Sequence, residues 1–206
     1  MRLNKSTIYK FLYNYIYKVI PTLYYCYLSH IKYDRTYKIS GRIRIIKPLF
    51  TKHNKSIIIG RYFIANSNIT SNSIGLIQPC IFSLSNKDSK IIIGNNVGIS
   101  GSTICARTRI TIEDNVLIGS GCLISDSDSH PINYLDRLNN KNESIQSAPI
   151  HIESGAFIGA RSIILKGVTI GKNAIIGAGS VITRNVPPNT VFAGNPAVFI
   201  KNIVNK

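Results

Sequence analysis

Acidic side chains are scarce in this chain. Nine aspartates and glutamates face 25 lysines and arginines, a net charge of +16. An excess of that size suggests nucleic acid or another anionic surface, yet its distribution argues against nucleic acid. Residues 1–91 carry 15 basic and 2 acidic side chains, residues 92–182 carry 7 and 7, and residues 183–206 carry 3 and 0. A phosphate track threads its cations through the folded body, whereas the most regular part of this chain is neutral. No nucleic-acid partner is expected. The four cysteines, Cys26, Cys80, Cys105 and Cys122, have no CxxC spacing, so no zinc module is indicated. Without a cleavable signal peptide before them, they are expected to be reduced thiols in a cytoplasmic protein. Neither GxxxxGK[ST] nor GxGxxG occurs, which sets aside nucleotide hydrolysis and nicotinamide chemistry. Hydrophobic residues still make up 44% of the 206, enough for one packed domain.

The first segment reads as an arm. In residues 6–23, Ile8, Phe11, Leu12, Tyr15, Ile16, Val19, Ile20 and Leu23 fall at helical spacing and make one apolar face. Ser6 suits the N-cap, and Pro21 is expected to end the helix. Lys10, Asn14, Lys18 and Pro21 keep this stretch too short of apolar residues to span a bilayer. Nine of eleven tyrosines lie in the first 37 residues. Such a helix can pack on its own domain or a neighbouring subunit, or lie on an anionic membrane surface.

From Ile152 onward, isoleucine recurs with a period of six: Ile152, Ile158, Ile164, Ile170, Ile176 and Ile182. The same lattice is seen earlier as Ile93, Ile99 and Cys105, slips by one residue, and resumes at Ile112, Ile118 and Ile124, with a looser start at Ile59 and Ile74. Period two gives a flat strand and period 3.6 a helix. A period of six with glycine or small residues at the corners predicts short strands coiling into a prism, each inward isoleucine stacking on the next coil.

The lattice breaks once. It predicts an inward position at 130, where His130 stands in ISDSDSHPINYLDR, and the next in-phase isoleucine is Ile152. The intervening residues are expected to leave the prism as a polar loop, 131–149, and long loops in a tight solenoid are usually functional. An imidazole there can act as general base toward a hydroxyl attacking a thioester. Asp128 and Asp126 can hold its tautomer, or can merely cap backbone amides. Arg137, within the loop, is a candidate for binding a sugar hydroxyl or carboxylate. His30, His53 and His151 are weaker candidates, and two histidines in the repeats are too few for a three-histidine zinc site.

The run from Ile93 to Ile200, above all IHIESGAFIGARSIILKGVTIGKNAIIGAGSVITRNVPPNTVFAGNPAVFIK, resembles the hexapeptide-repeat acyltransferases of the sugar O-acetyltransferase type, the maltose, galactoside and capsule or lipopolysaccharide enzymes. That resemblance implies an all-β, left-handed parallel β-helix, a homotrimer, and acetyl-CoA as co-substrate with no metal. It also implies a catalytic histidine in a His-Pro segment like that of His130. The pantetheine arm would lie on the small-residue corners Gly159, Ala160, Gly177 and Ala178, with Thr183 and Arg184 near the adenine and phosphate end and Lys201 near a phosphate. The segment around Ser100 lacks the asparagine that simple galactoside acetyltransferases carry, which disfavours monosaccharide galactosides.

The expectation is thus a basic arm over 1–55, a β-helix over 56–190 and a cofactor-binding tail over 191–206. The chain would acetylate a hydroxyl of a surface polysaccharide or its precursor, in the cytoplasm or at the inner face of the cell membrane. A serine acetyltransferase-like enzyme and a non-catalytic binding or assembly solenoid are the alternatives.

Overall fold

A computed structural model describes residues 12, 15–28, 31–47 and 56–204. Its strands are short because each ends where the backbone turns a corner, and they fall into three parallel sheets that form the faces of a prism. The first coil is β1 (Lys38–Ser40), β2 (Arg44–Ile46) and β3 (Ile57–Ile59). Then come β4 (Ile64–Asn66), β5 (Ile81–Leu84) and β6 (Lys90–Ile93), followed by β7 (Gly98–Ser100), β8 (Thr103–Ala106) and β9 (Arg109–Ile112). The fourth is β10 (Leu117–Ser120), β11 (Leu123–Ser125) and β12 (Ile150–Ile152); the fifth is β13 (Phe157–Ile158), β14 (Ile163–Ile164) and β15 (Thr169–Ile170). The sixth holds β16 (Ile175–Ile176), β17 (Val181–Ile182) and a bridge from Val186 to Ile170. The first strand of each coil lies in sheet A, the second in sheet B and the third in sheet C, as expected of an all-β, left-handed parallel β-helix.

Register explains the isoleucine lattice. In sheet A, Ile39, Ala65, Ile99, Ile118, Ile158, Ile176 and Phe192 stack in line. In sheet C, Ile93, Ile112, Ile152 and Ile170 do the same. Nearly all of these side chains are fully buried, and each isoleucine so removed from water contributes about 1.5–3 kcal/mol. Where isoleucine gives out at the base of the prism, aromatics fill it: the Tyr37 and Phe63 rings meet at 5.9 Å, and Phe63 and Phe82 at 6.5 Å.

Corners are held by side chains as well. Asn96, Asn115, Asn173 and Asn189 turn the corner from sheet C to sheet A with positive φ, a conformation asparagine tolerates. Their amides ladder, Asn96 Nδ2 donating to Asn115 Oδ1 (2.9 Å) and Asn173 Nδ2 to Asn189 Oδ1 (3.0 Å). Just before sheet B, Cys80, Ser102, Cys122, Ser162 and Ser180 form a column whose carbonyls accept from the next strand of the coil below, as from Thr103 to Cys122 (2.8 Å). Cys122 therefore stacks with serines and Cys80, not with Cys105.

Four expectations change. Ile104 and Ala106, not Cys105, point inward from β8, Ile104 paired with Ile124 of β11, so the slip in the lattice falls one corner earlier. The prism begins at Lys38, inside the segment 1–55 expected as an arm, because Ile39 and Ile43 already stack under the second coil. The segment 191–206 is not a separate tail: β18 (Thr190–Gly194) is a further strand of sheet A, and β19 (Ala197–Asn202) folds back on it antiparallel. The helix does not end at Pro21 either. A π-helical turn, Tyr15–Val19, runs into α1, Ile20–Leu28, so Pro21 stands inside a continuous helical stretch, directly after the kind of irregular turn at which a helix passes a proline. Ser6, Ile8 and Phe11 lie outside the described residues. The helix docks on the prism, with Thr22 and Cys26 buried and Thr22 Oγ1 accepting from Ile39 N (3.3 Å).

Candidate functional site

The loop that breaks the lattice leaves sheet B at Asp126 and rejoins sheet C at Ile150. Its departure strips the amides of the coil below of their ladder partners, and Asp126 replaces them. The fully buried carboxylate accepts from Arg107 N (2.6 Å) on Oδ1 and from Thr108 N (2.7 Å), Thr108 Oγ1 (2.7 Å) and Arg109 N (2.8 Å) on Oδ2. Consecutive amides converging on one anion form a nest. Asp126 thus staples the loop to the prism rather than holding the His130 ring, which corrects its expected role.

Above the staple the strands of the loop pinch together. Ala148 N donates to Asp126 O (2.9 Å), Asp128 N donates to Gln146 O (3.1 Å), and Ser127 bridges Ser147. His130 follows at the mouth, exposed to solvent and not pointing into the core as the lattice suggested. Among the described residues no hydrogen bond joins it to Asp126 or Asp128. Asp128 is paired with Lys166 through Oδ1, while its Oδ2 is buried and has no partner among the described residues. Arg137 sits in α2, Tyr134–Leu138, a helical turn capped by Asn133 Oδ1, which accepts from Leu135 N (2.8 Å). Its guanidinium turns back to donate to the carbonyls of Pro131 (2.9 Å) and Ile132, so it braces the turn after His130. Arg107 Nη2 donates to Asn142 O (2.7 Å) and ties down the far side.

The small-residue candidates lie along a different edge, where sheet A turns into sheet B. Gly159 and Ala160 stack directly below Gly177 and Ala178. A Cβ on Gly159 would stand 2.5 Å from Ala178 N, so adjacent coils already demand this glycine. Ala193, near the end of β18, lies over Gly177, and Gly194 N donates to Ser180 Oγ (3.1 Å), so the AGNPA segment continues the same edge. Thr183 and Arg184 are exposed after β17, on the edge from sheet B to sheet C that also carries the His130 loop. Lys201 is exposed on β19. Apart from Lys201, the candidates within one chain therefore fall into two groups on separate edges of the prism.

Two features had no signal in the sequence. An insert, 67–79, folds from the second coil across the A-to-B edge. Asn72 Nδ2 and Asn66 Nδ2 each donate to Ser100 Oγ (3.0 Å), so side-chain amides from the coil below reach the very position whose asparagine is missing. On the outer face of sheet C, Glu113 accepts from Ser154 Oγ (2.7 Å) and meets His151 Nε2 at 2.8 Å. The Ser154 hydroxyl, aided by the Ser154 amide and His151, holds the Glu113 carboxyl below its usual range. Serine and histidine both face the carboxylate there, which is not the order a nucleophilic serine needs. No group of three metal-ligating side chains exists among the described residues.

Comparison with known proteins gives concordant matches. A family model described as the hexapeptide repeat of succinyl-transferase matches residues 109–125 and 149–184. The galactoside O-acetyltransferase of Escherichia coli is 33% identical over 156 residues, 76% of this chain and 59% of that protein. A hexapeptide-repeat containing acetyltransferase from Vibrio cholerae, of known structure, is 31% identical with a TM-score of 0.52, over 60% of this chain and 68% of that one. A galactoside acetyltransferase solved in complex with coenzyme A is 28% identical with a TM-score of 0.51, over 82% of this chain and 64% of that one. The chain spans about half the length of the curated relatives it matches.

Proposed function

The chain belongs to the hexapeptide-repeat acetyltransferase family, and from that premise we propose that it is an acetyl-CoA-dependent O-acetyltransferase acting on a sugar hydroxyl of a surface polysaccharide or its precursor. The observation that carries this reading is the exposed imidazole of His130, held at the mouth of a stapled loop two residues from a buried carboxylate oxygen that has no partner among the described residues. His130 takes the proton of the acceptor hydroxyl as its oxygen attacks the thioester carbonyl. A backbone amide of the A-to-B edge donates to the tetrahedral oxyanion. Collapse breaks the C–S bond, and the departing thiolate receives the proton from His130, giving the acetyl ester and free CoA. Asp128 Oδ2 is the acceptor that orients the ring and stabilises the imidazolium, with Lys166 paired to the other carboxylate oxygen. Arg137 acts on the acceptor through the turn that it braces.

Gly159, Ala160, Gly177 and Ala178 take the pantetheine arm, whose amides need close approach to backbone. Thr183, Arg184 and Lys201 take the adenine and phosphate end, where anions need cationic partners. The assembly in this reading is a homotrimer in which the His130 edge of one protomer faces the small-residue edge of its neighbour, and the placement of the two groups on different edges supports it. The cytoplasmic face of the membrane is the site of action. The exposed Ile16, Ile20, Leu23, Tyr24 and Tyr27 of the helical arm support contact with an anionic bilayer, as does the basic charge of residues 1–91.

The test is His130→Ala. Thiol release from acetyl-CoA in the presence of the best glycan acceptor should fall about 100- to 10,000-fold, while calorimetric binding of CoA stays at the wild-type level. Near-normal transfer by the variant, or no saturable CoA binding by the wild type, overturns the reading.

A further inference from the structure

At the A-to-B edge the residue that turns the chain has positive φ in four successive coils: Gly101 (+48°), Gly121 (+71°), Arg161 (+60°) and Gly179 (+71°). Three are glycine, which adopts this conformation freely; arginine does so against the clash of its Cβ. Backbone strain kept at one coil of a repeat marks a position where the side chain is needed. Arg161 is exposed, and among the described residues no carboxylate forms an ion pair with it.

Its surroundings are built. Arg161 lines a cavity of about 430 Å³ with Ala160, Gly121, Ser120 and the stretch Ile74–Ile77 of the insert. The insert wall is pinned: Ser120 Oγ donates to Gly75 O (2.9 Å), Asn72 Nδ2 to Ser100 Oγ (3.0 Å) and Gln78 Nε2 to Thr103 Oγ1 (2.9 Å). Leu76 is buried behind it, while Ile74 and Ile77 remain 66% and 79% exposed. A rigid aliphatic shelf beside one unpaired guanidinium suits a ligand with an apolar C–H face and one anionic substituent. Pyranose rings present such a face, and guanidinium matches a phosphate or carboxylate with paired N–H donors.

We infer that this cavity receives the acceptor and that Arg161 selects sugars bearing an oxyanion, a phosphate or a carboxylate, over neutral ones. The inference rests on the O-acetyltransferase reading for why a sugar comes to this edge, but its test does not need catalysis. The full chain is titrated calorimetrically with a hexose 1-phosphate, a hexuronate and a methyl hexoside. The wild type should bind one of the anionic probes at least about tenfold more tightly than the neutral one, and whichever is preferred identifies phosphate or carboxylate as the source. Arg161→Gly installs the residue the same corner carries in neighbouring coils, so the variant should fold with a thermal midpoint at or above that of the wild type, yet lose the preference. Arg161→Lys, a point charge without the fork, should keep part of it. Equal binding of charged and neutral probes by the wild type, binding of none of them, or an intact preference in Arg161→Gly overturns the inference. Arg161-dependent binding of an anionic probe without thiol release from acetyl-CoA supports it and overturns the O-acetyltransferase reading alone.

Discussion

The two edges on either side of sheet B differ in kind. Along the A-to-B edge, from Gly119 to Ala178, the chain repeats one turn with glycine, alanine and serine, interrupted by a long charged side chain only at Arg161, so most of what it presents is backbone. Along the B-to-C edge the repeat is broken once, and the break is repaired by side chains: Asp126 on three amides, Arg107 on Asn142, Lys166 on Asp128. Regularity yields a surface read through main-chain donors, suited to an extended ligand that follows the column. Irregularity yields an imidazole presented at a mouth. A solenoid can perform chemistry when one edge holds to the repeat and another departs from it.

Mixing subunits tests that division most severely. His130→Ala damages only the broken edge and Ala178→Leu only the regular one, so each variant alone should be inactive. If a site draws one edge from each of two protomers, unfolding and refolding the two variants together at equal amounts should restore about a quarter of the sites. Thiol release that stays at background in the mixture would mean that both edges serve within one chain. Removal of the staple comes next in size. Asp126→Ala leaves three amides in a buried corner without acceptors, which should cost about 3 kcal/mol and raise hydrogen exchange at 107–109 and through the loop. Unchanged exchange there would show that the loop holds its place without the carboxylate. The smallest effect concerns a surface on neither edge. Leu23 and Tyr27 are 42% and 76% exposed, so replacing both with serine should leave the thermal midpoint unchanged and weaken binding to anionic vesicles about tenfold. Wild-type vesicle binding by the double variant removes the helix from any membrane role.

The later coils were legible in the sequence because their strands are two residues long and each hexad carries one inward isoleucine. The earlier coils were not. Four-residue strands such as β6, β8 and β9 put two residues inward, Ile91 with Ile93, Ile104 with Ala106, and Ile110 with Ile112, and the insert 67–79 interrupts the period. The first coil was hidden because ten residues separate β2 from β3 and interrupt its period, and Pro21 misled because a helix can continue past a proline where its preceding turn is irregular. At the site, the 22-residue gap before Ile152 exposed the loop and His130, but the partners of Asp126, Asp128 and Arg137 depend on which coils become neighbours. No local pattern records that Asp126 would lie over Arg107–Arg109, or that Asn72 would reach Ser100.

The cysteines placed at the prism's corners and under its helix have a chemical consequence. Burial pushes the Cys26 and Cys80 thiols up to about 11 and raises that of Cys122 as well. At neutral pH a thiol with such a pKa is ionised in only about one molecule in ten thousand, and the thiolate is the reactive species. Cys105, half-buried on β8, is the one less enclosed. The native protein should therefore contribute little more than one slow equivalent per chain to a thiol-reactive dye, leaving a quiet baseline against which the sulfur released by acyl transfer can be read.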